Sequence, residues 1–335
     1  MSAHPRSLVR RASDAVPPAV DRSGPSLVIG HFLPPCRHDH EVIEEAVAHS
    51  TSVDVLVLDH LGQRPDAATR RRWLAAVHPG ASVEVVPDSG GFDPGAWDRV
   101  IRRASCVGDL GDLASLWPDL HPIVRAGLTR RIVVVGAEST GTTTLAGDLA
   151  DRLSVPWVPE FLRAHAEERA AEAGSIWDVT WTPADFERVA AGQDELETEV
   201  LAAWVADATR SSPTARGPLV VCDTDALATA LWSRRYLGAP APGFLRRAAA
   251  RPPALYLLTS PEGVDFHQDG LRDGEHVRGE MTSWFRTALR DQQVPWVEVT
   301  GGRSTRLERS LEVIDRLAGE PVLFSPPSLG EPSRR

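Results

Sequence analysis

The sequence has 335 residues, of which 42% are hydrophobic, and a formal net charge of −10 at pH 7. The length allows two domains of roughly 100–200 residues, and the negative charge argues against a surface that binds nucleic acid through its phosphates. The absence of an apolar run of roughly 20 residues excludes a membrane-spanning helix, so we expect a soluble protein without a membrane partner.

The cysteine and lysine contents restrict the chemistry further. Cys36, Cys106 and Cys222 are too few and too scattered for a disulfide framework, which fits a reducing cytoplasm. Lysine is absent, so all 36 basic residues are arginine, and a reaction that needs a lysine amine is excluded. We therefore expect a cytoplasmic protein whose long cationic side chains are all guanidinium groups.

The two ends of the chain carry the Pro, Ser and Arg bias of solvated tails, which we predict over residues 1–24 and 320–335. Between them, strand-like and helix-like segments alternate, a pattern that predicts parallel sheets covered by helices. The first predicted α/β domain spans residues 25–128. Its predicted strands are 26–30, 53–58 and 83–86, and its predicted helices are 41–49, 66–77 and 94–103. An irregular stretch is expected at 109–122 and a linker at 118–127.

The second predicted domain spans residues 129–319. Its helices include 141–153 and 183–210, the latter with Thr182 as N-cap. Five short apolar segments are predicted to be strands, at 131–136, 156–158, 219–222, 254–258 and 296–299. With right-handed crossovers these strands would form a doubly wound sheet. The predicted fold class is therefore α/β, with two doubly wound parallel-sheet domains.

The first strand of the second domain runs into a loop with the spacing of a phosphate-binding P-loop. Gly136-Ala-Glu-Ser-Thr-Gly141-Thr142-Thr143 follows the pattern G-x-x-x-x-G-K-[ST], in which backbone N–H groups and a helix N-terminus surround phosphates. The alternative is a tight structural turn. We predict that ATP contacts the whole loop, namely Gly136, Glu138, Ser139, Thr140, Gly141, Thr142, Thr143 and Thr144.

Thr142 stands where the P-loop pattern has lysine. Losing that lysine removes roughly 1.5–3 kcal/mol of charged hydrogen bonding but leaves the backbone groups of the loop intact. Catalysis suffers more, because a cation normally neutralises the transferring phosphoryl group. An arginine from elsewhere must supply this charge. Thr143 is the predicted hydroxyl ligand of Mg²⁺, with a cap of its own helix as the alternative.

The second domain resembles the kinase half of the NadR-type proteins, which combine a nicotinamide-mononucleotide adenylyltransferase with a ribosylnicotinamide kinase. The resemblance covers roughly residues 131–318 and rests on an ordered set of four segments: the 136–141 loop, Pro159-Glu160-Phe161-Leu162-Arg163, Asp223-Thr224-Asp225 and Asp269-Gly270-Leu271-Arg272. It implies a P-loop kinase fold. It also implies transfer of phosphate from ATP, with Mg²⁺, to the ribose 5′-hydroxyl of a nicotinamide riboside-like nucleoside.

Two acidic residues at strand ends are the predicted catalytic groups. Glu160 lies at the edge where ligands of such sheets collect, so it is the candidate general base for the ribose hydroxyl. The alternative is a glutamate that only favours a helix dipole. Asp223 follows an apolar strand as a Walker-B acid does, and we predict that it holds Mg²⁺ directly or through water.

Two arginines are the expected replacements for the missing lysine. Arg272 and Arg278 lie in the glycine- and charge-rich segment 265–279, which we interpret as a mobile lid over the phosphates. A solvated charge run is the alternative. Arg163, one helical turn after Glu160, either holds substrate or pairs with that glutamate.

Three further residues are candidate substrate contacts, each with a structural alternative. Asp225 either binds substrate or caps the next helix. Gln193 interrupts the apolar face of the long helix, as a substrate contact or as a buried amide satisfied by a neighbour. Trp181 either stacks on a base or packs beside the helix start.

The first domain resembles the adenylyltransferase half but departs from its signature. Gly30-His-Phe32-Leu-Pro34 matches the start of G-x-F-x-P-x-H-x-G-H, whereas Cys36-Arg37-His38-Asp39 occupies the H-x-G-H positions. We therefore predict that adenylyltransferase activity is lost and that the domain has an interaction or regulatory role. Zinc binding by Cys36, His38, Asp39 and His40 is disfavoured, because four ligands within five residues rarely close a tetrahedron alone.

Three functions remain open at this point. The first is the ATP- and Mg²⁺-dependent kinase that the resemblance implies, acting in NAD salvage. The second is an ATP-binding regulatory module of NAD metabolism that has lost turnover, which Thr142 favours. The third, a nicotinamide-mononucleotide adenylyltransferase, needs His38 or His40 to replace the missing signature histidines. The expected partners are ATP and a small nucleoside; the oligomeric state, including a homo-oligomer, stays open.

Overall fold

The computed structural model describes residues 23–88, 93–103, 113–239 and 241–323. Within these ranges the strands form two parallel sheets, one of four and one of five strands. The predicted α/β class with two doubly wound sheets is therefore confirmed. The predicted tails lie almost wholly outside the described residues, but Leu323, which the sequence assigned to a tail, is buried against Trp117 and its neighbours.

The first sheet has the order β3-β2-β1-β4. Its strands are β1 Ser26–Gly30, β2 Val53–Asp59, β3 Ser82–Pro87 and β4 Arg99–Arg103, and its helices are α1 Arg37–His49 and α2 Ala67–Val77. The helix predicted over residues 94–103 is wrong. A single 3₁₀ turn, Pro94–Ala96, precedes β4, and the β-branched pair Val100-Ile101 enters the sheet beside β1.

A helical connection joins the two sheets where the sequence predicted irregular chain and a linker. It contains α3 Leu113–Leu116, a 3₁₀ turn Trp117–Asp119 and α4 Pro122–Leu128. The buried Trp117 donates a 2.9 Å hydrogen bond from Nε1 to the Ser211 hydroxyl, and Arg125 donates to the Val205 carbonyl at 2.7 Å. The connection is thus packed against the second sheet's helices.

The second sheet has the order β6-β7-β5-β8-β9. Its strands are β5 Arg130–Gly136, β6 Trp157–Val158, β7 Leu219–Asp223, β8 Leu255–Thr259 and β9 Trp296–Val299. Its helices are α5 Thr142–Leu153, α6 Phe161–Ala173, α7 Pro183–Ala206, α8 Ala226–Leu237, α9 Pro242–Ala250, α10 Arg278–Arg290 and α11 Arg303–Leu317. Thr182 caps α7 as predicted, although the helix ends four residues before the predicted Arg210.

The central strand β5 explains why the sequence shows an unbroken apolar run there. Val133 and Val135 pack on one face of the sheet with α7, α8 and α10, while Ile132 and Val134 pack on the other face with α5 and α11. A strand buried on both faces needs no alternation of polar residues. Because β5 lies between β7 and β8, its carboxyl end opens at the crevice where parallel sheets collect ligands.

Two cysteines lie in the described part of the chain. Cys222 is a buried free thiol whose pKa burial raises to about 12, so it is unreactive. Cys36 is disulfide-bonded, which the sequence analysis did not predict. Among the described residues, none of the helices has both the length and the apolar character needed to cross a membrane.

Candidate active site

The loop between β5 and α5 has the backbone geometry that the glycine pattern predicted. Gly141 has a φ of 86° and Ser139 a φ of 58°, both in the left-handed region that glycine enters most easily. A Cβ atom at Gly136 would lie 2.2 Å from the Thr259 hydroxyl. Helix α5 begins at Thr142, so its free N–H groups face the crevice as an anion site requires.

Asp223 ends β7 beside this phosphate loop. Only 1% of the residue is exposed, and its Oδ2 atom has no hydrogen-bond partner among the residues that the structure describes. Burial raises the pKa of Asp223, whereas hydrogen bonds from the Thr143 and Thr142 hydroxyls lower it. A buried, unpartnered carboxylate oxygen next to a threonine hydroxyl fits Mg²⁺, which prefers oxygen ligands.

Mg²⁺ in phosphate sites commonly takes only one or two protein carboxylates and completes its shell with phosphates and water. The donor set of Asp223 and Thr143 suits that pattern. In the described ranges, no group of three or more His, Cys, Asp and Glu side chains is arranged to hold a metal ion by itself.

Glu160 follows β6 and is the N-cap residue of α6, yet its side chain makes no capping hydrogen bond. Burial raises the pKa of Glu160, the negative charge of Asp223 raises it further, and Arg163 opposes both effects. The two carboxyl groups are thus close enough to repel each other. A carboxylate with a raised pKa is a stronger proton acceptor, as a general base near neutral pH should be.

Gln193 holds the backbone on both sides of Glu160. Its side-chain oxygen accepts the Phe161 N–H at 2.8 Å, and its Nε2 donates to the Pro159 carbonyl at 3.2 Å. The neighbouring Gly192 lets the Phe161 ring approach α7, since a Cβ atom there would lie 2.4 Å from that ring. The geometry favours the buried-amide alternative for Gln193, with Glu160 as the residue it positions.

The segment 265–279, the lid segment, lies directly on the phosphate loop. Arg272 donates from Nη1 to the Ser139 hydroxyl at 3.2 Å, and Arg278 donates from Nη2 to the Ser139 carbonyl at 2.6 Å. The Gly274 N–H donates to the Glu138 carboxylate at 2.5 Å. Both arginines predicted to replace the lysine therefore contact the loop, although only Arg272 lines the adjoining cavity.

A four-residue network that the sequence analysis missed fastens this lid segment. Arg235 at the end of α8 pairs with Glu138 and with Asp273, and the Tyr236 hydroxyl donates to Asp273 at 3.0 Å. We call Glu138, Arg235, Tyr236 and Asp273 the latch. Its sequence signal was weak, because arginine in the last turn of a helix is common for reasons of helix dipole alone.

The cavity between these elements measures about 100 Å³. Its polar lining includes Glu138, Ser139, Thr142, Thr143, Glu160, Arg163, Asp223 and Arg272, and its apolar lining includes Leu162, Trp181, Trp232 and Tyr236. Pockets for small ligands usually measure about 300–1,000 Å³. The lid-segment residues Leu271 and Arg272 form part of the wall, so a movement of the lid segment would change the size of the cavity.

Two of the four candidate substrate residues, Trp181 and Arg163, line the cavity. Trp181 lines the cavity and also packs on Tyr236, with ring centroids 5.0 Å apart, so the structure contains the packing alternative, and stacking on a base stays a prediction. Arg163 lines the cavity, but its Nη2 pairs with Asp269 at 2.9 Å and its Nε with Glu167 at 3.4 Å. Arg163 therefore forms its ion pairs with the lid segment and with helix α6 rather than with Glu160.

Asp225 lies below the site, as the N-cap residue of α8. Its carboxylate accepts the Leu227 N–H at 2.9 Å and the Tyr256 hydroxyl at 2.6 Å, and it is not among the described residues that line the cavity. The geometry thus favours the capping alternative. The cap fixes the turn that follows Asp223.

A second cavity, of about 150 Å³, borders the phosphate loop on the α11 side. It is lined by Thr140, Gly141, Thr144, Leu145, Asp148, Val264, Arg303 and Arg306. Three of the predicted loop contacts, Thr140, Gly141 and Thr144, line this cavity. The sequence analysis missed Arg306, whose signal is an arginine on the face of α11 that also buries Ser310, Val313 and Ile314.

The corresponding edge of the first sheet is arranged differently. Asp39, at the position of the last signature histidine, is buried, pairs with Arg103 at 3.1 Å and accepts the Cys36 N–H at 3.0 Å. His38 is largely exposed and pairs with Glu41. His40 is buried and hydrogen-bonds His78 at 2.8 Å, while burial lowers its pKa to about 4.

Comparisons with known proteins agree with this geometry. Residues 131–306, more than half of the chain, match a family model described as an AAA domain. The crystal structure of NadR protein in complex with NR superposes with a TM-score of 0.62 at 18% identity, covering 91% of this chain and 99% of that one. NadR in complex with NAD and AMP-PNP gives 0.59 at 17% identity, covering 90% and 98%.

At these identities the likeness establishes the fold, and it extends over both sheets. The resemblance inferred from the sequence segments is confirmed at that level. No curated protein matches the sequence.

Proposed function

We propose that this chain, which belongs to the AAA domain family, is an ATP- and Mg²⁺-dependent kinase of NAD salvage. Its acceptor is the ribose 5′-hydroxyl of nicotinamide riboside. One observation carries the proposal: three groups converge on one cavity beside a phosphate loop. They are the carboxyl group of Asp223 with its unpartnered oxygen, the Thr143 hydroxyl, and the carboxyl group of Glu160, whose pKa is raised. Phosphoryl transfer needs this combination of phosphate site, metal ligands and base.

The residues divide the reaction between them. The loop N–H groups and the start of α5 hold the ATP phosphates. Thr143 and Asp223 would hold Mg²⁺, which when bound would neutralise phosphate charge. Glu160 accepts the proton of the ribose hydroxyl as its oxygen bonds to the γ-phosphorus, and the bond from that phosphorus to the oxygen of the leaving ADP breaks. Arg272, which lines the same cavity, lies where it can stabilise the charge on the transferring group.

The walls of the cavity support a cationic acceptor. Trp181, Trp232 and Tyr236 provide aromatic faces. The lining also holds three carboxyl groups, those of Glu138, Glu160 and Asp223, against the two guanidinium groups of Arg163 and Arg272. A pyridinium ring is planar and positively charged, so it gains from aromatic faces and from carboxylates together. A neutral nucleoside gains only the stacking. The similar crystal structures of NadR protein contain NR, or NAD with AMP-PNP, which is consistent with this choice.

A second candidate function is an ATP-binding regulatory module without turnover. The observation that favours it is Thr142 at the lysine position, together with a lid segment that the latch holds against the loop. The first sheet gives less support to adenylyl transfer, since Asp39 and Cys36 occupy the signature positions and His40 is packed against His78.

The test is incubation of the purified full chain with ATP, Mg²⁺ and nicotinamide riboside, with mononucleotide and ADP followed by chromatography. We expect both products in equal amounts, little turnover with the neutral nucleoside uridine, and no product from the Asp223→Ala variant. ATP binding without product from any acceptor would contradict the kinase and leave the regulatory module.

A further inference from the structure

Arg306 lies behind the phosphate loop, on the side away from the main cavity. Only 4% of the residue is exposed. Its Nη1 donates to the Thr140 carbonyl at 2.6 Å and its Nε to the Gly301 carbonyl at 2.6 Å, while Nη2 donates to the carbonyls of Ser260 and Glu262 at 2.7 and 3.0 Å. All four acceptors are neutral backbone groups.

The positive charge of Arg306 is not neutralised within the described part of the chain, where it forms no ion pair with a carboxylate. Burial lowers the pKa of Arg306, and the positive charge of Arg278 lowers it further. Arg278 in turn holds the neighbouring loop carbonyl, that of Ser139, and feels Glu275 and Asp265 only at longer range. A buried cation beside a second cation is unfavourable unless an anion joins them.

The contact to Thr140 also controls the direction of a loop N–H group. In a trans peptide the carbonyl and the following N–H point in opposite directions. By holding the Thr140 carbonyl from behind, Arg306 therefore aims the Gly141 N–H toward the front of the loop, where phosphates bind. The guanidinium group of Arg306 does not reach the front of the loop. It therefore acts on bound phosphate through the peptide between Thr140 and Gly141, and through its electric field, which a poorly solvated interior screens only weakly.

We propose that Arg306 is a positioning residue for polyphosphate that supplies, from behind the loop, the fixed positive charge that a lysine at Thr142 would supply from within it. Arg272 and Arg278 belong to the lid segment and move with it, whereas Arg306 is anchored on α11 and stays in place. The proposal rests on the phosphate-binding part of the proposed function and is independent of turnover.

The test measures the affinity of the folded full chain for inorganic tripolyphosphate by titration calorimetry, so that neither acceptor nor catalysis is involved. The variants are Arg306→Gln, Arg306→Lys, Thr142→Lys and the double variant Thr142→Lys/Arg306→Gln. Arg309→Gln is the matched control, because Arg309 lies on the same helix, is half-exposed and pairs only with Glu312. Circular dichroism and thermal melting establish that each variant is folded.

We expect Arg306→Gln to weaken tripolyphosphate binding by at least tenfold and the double variant to recover most of that loss. Arg306→Lys should bind within about threefold of wild type even where its melting temperature falls, because a lysine ammonium keeps the positive charge and can still donate to the Thr140 carbonyl. Arg309→Gln should bind as wild type does.

Unchanged affinity in folded Arg306→Gln, or a double variant that recovers nothing, would overturn the proposal. If Arg306→Gln does not fold, a tenfold loss in Arg306→Lys has the same meaning. Wild-type protein that binds neither tripolyphosphate nor ATP would instead contradict the phosphate site itself. Binding without turnover would contradict only the kinase.

Discussion

The two sheets place similar groups at similar edges but leave them in opposite states. In the first sheet, the carboxylate of Asp39 is occupied by Arg103 and by the Cys36 N–H. In the second sheet, Asp223 has an oxygen with no partner, and Glu160 makes no capping bond. Buried polar atoms normally find partners. An orphan at a strand end therefore points to a ligand, whereas a satisfied pair points to a structural role.

The largest expected effect is on turnover, and it sharpens this contrast. Glu160→Gln should lower kcat by about 10²–10⁴, because the variant cannot accept the proton of the attacking hydroxyl. Asp39→Asn, the matched change at the other sheet, should leave kcat within about twofold. Steady-state rates of mononucleotide formation, measured on folded protein, decide both.

An Asp39→Asn variant that loses turnover while remaining folded would break the comparison, since the first sheet would then contribute to the reaction. Glu160→Gln with wild-type kcat would instead remove Glu160 as the base. In that case the raised pKa of Glu160 would be only a consequence of its position beside Asp223.

The sequence predicted the second sheet better than the first for a physical reason. Strand β5 is buried on both faces, so its sequence is an apolar run. Close contacts at Gly136 leave no room for a side chain in the loop that follows, so the loop is marked by glycine. Strand β4 carries three arginines among five residues, and its identity comes from pairing with β1 rather than from its own composition. Local propensity could not reveal that pairing.

The site shows the same division. Residues that touch a ligand directly, such as Asp223 and Thr143, follow a motif and were found from the sequence. Arg235 and Arg306 act on the loop from helices, 97 and 166 positions away from their loop partners in the chain, and no short pattern connects them to it. Gln193 was noticed because it interrupts an apolar face, but its partners on either side of Glu160 could be identified only in three dimensions.

The next effect in size concerns Gln193. Gln193→Met leaves the Phe161 N–H and the Pro159 carbonyl without their partner, so the Glu160 backbone loosens. We expect kcat to fall about 10–100-fold while KM for ATP stays unchanged, because the phosphate loop is not involved. Full steady-state kinetics with varied ATP and varied acceptor separate the two parameters.

Gln292→Met is the control for this prediction. Gln292 holds the turn between α10 and β9 in the same manner, accepting the Val294 N–H and donating to two carbonyls, far from the site. Both variants should lose thermal stability through unsatisfied backbone groups, but only Gln193→Met should lose kcat. Equal losses of kcat would assign Gln193 a merely structural role.

The smallest expected effect is on stability, and its sign follows from the raised pKa of Glu160. In the unfolded chain a glutamate has a pKa of about 4.3. Because the folded pKa is higher, the folded protein binds this proton more tightly, and the resulting stability is complete below pH 4 and is lost as pH rises through the folded pKa. At pH 8 the ligand-free protein therefore carries an unfavourable charge that Glu160→Gln lacks.

We expect Glu160→Gln to melt roughly 2–4 °C above wild type at pH 8, corresponding to about 1 kcal/mol, and to match it at pH 4. Glu172→Gln, an exposed change on the same helix that loses only its contact to Arg169, should stay within about 0.5 kcal/mol at both pH values. A melting temperature that Glu160→Gln leaves unchanged or lowers at pH 8 would mean that the carboxyl groups of Glu160 and Asp223 do not strain each other. If both predictions hold, keeping the carboxylates of Glu160 and Asp223 together lowers stability, and neutralising Glu160 lowers turnover. Such a site is organised around a ligand that separates the two negative charges.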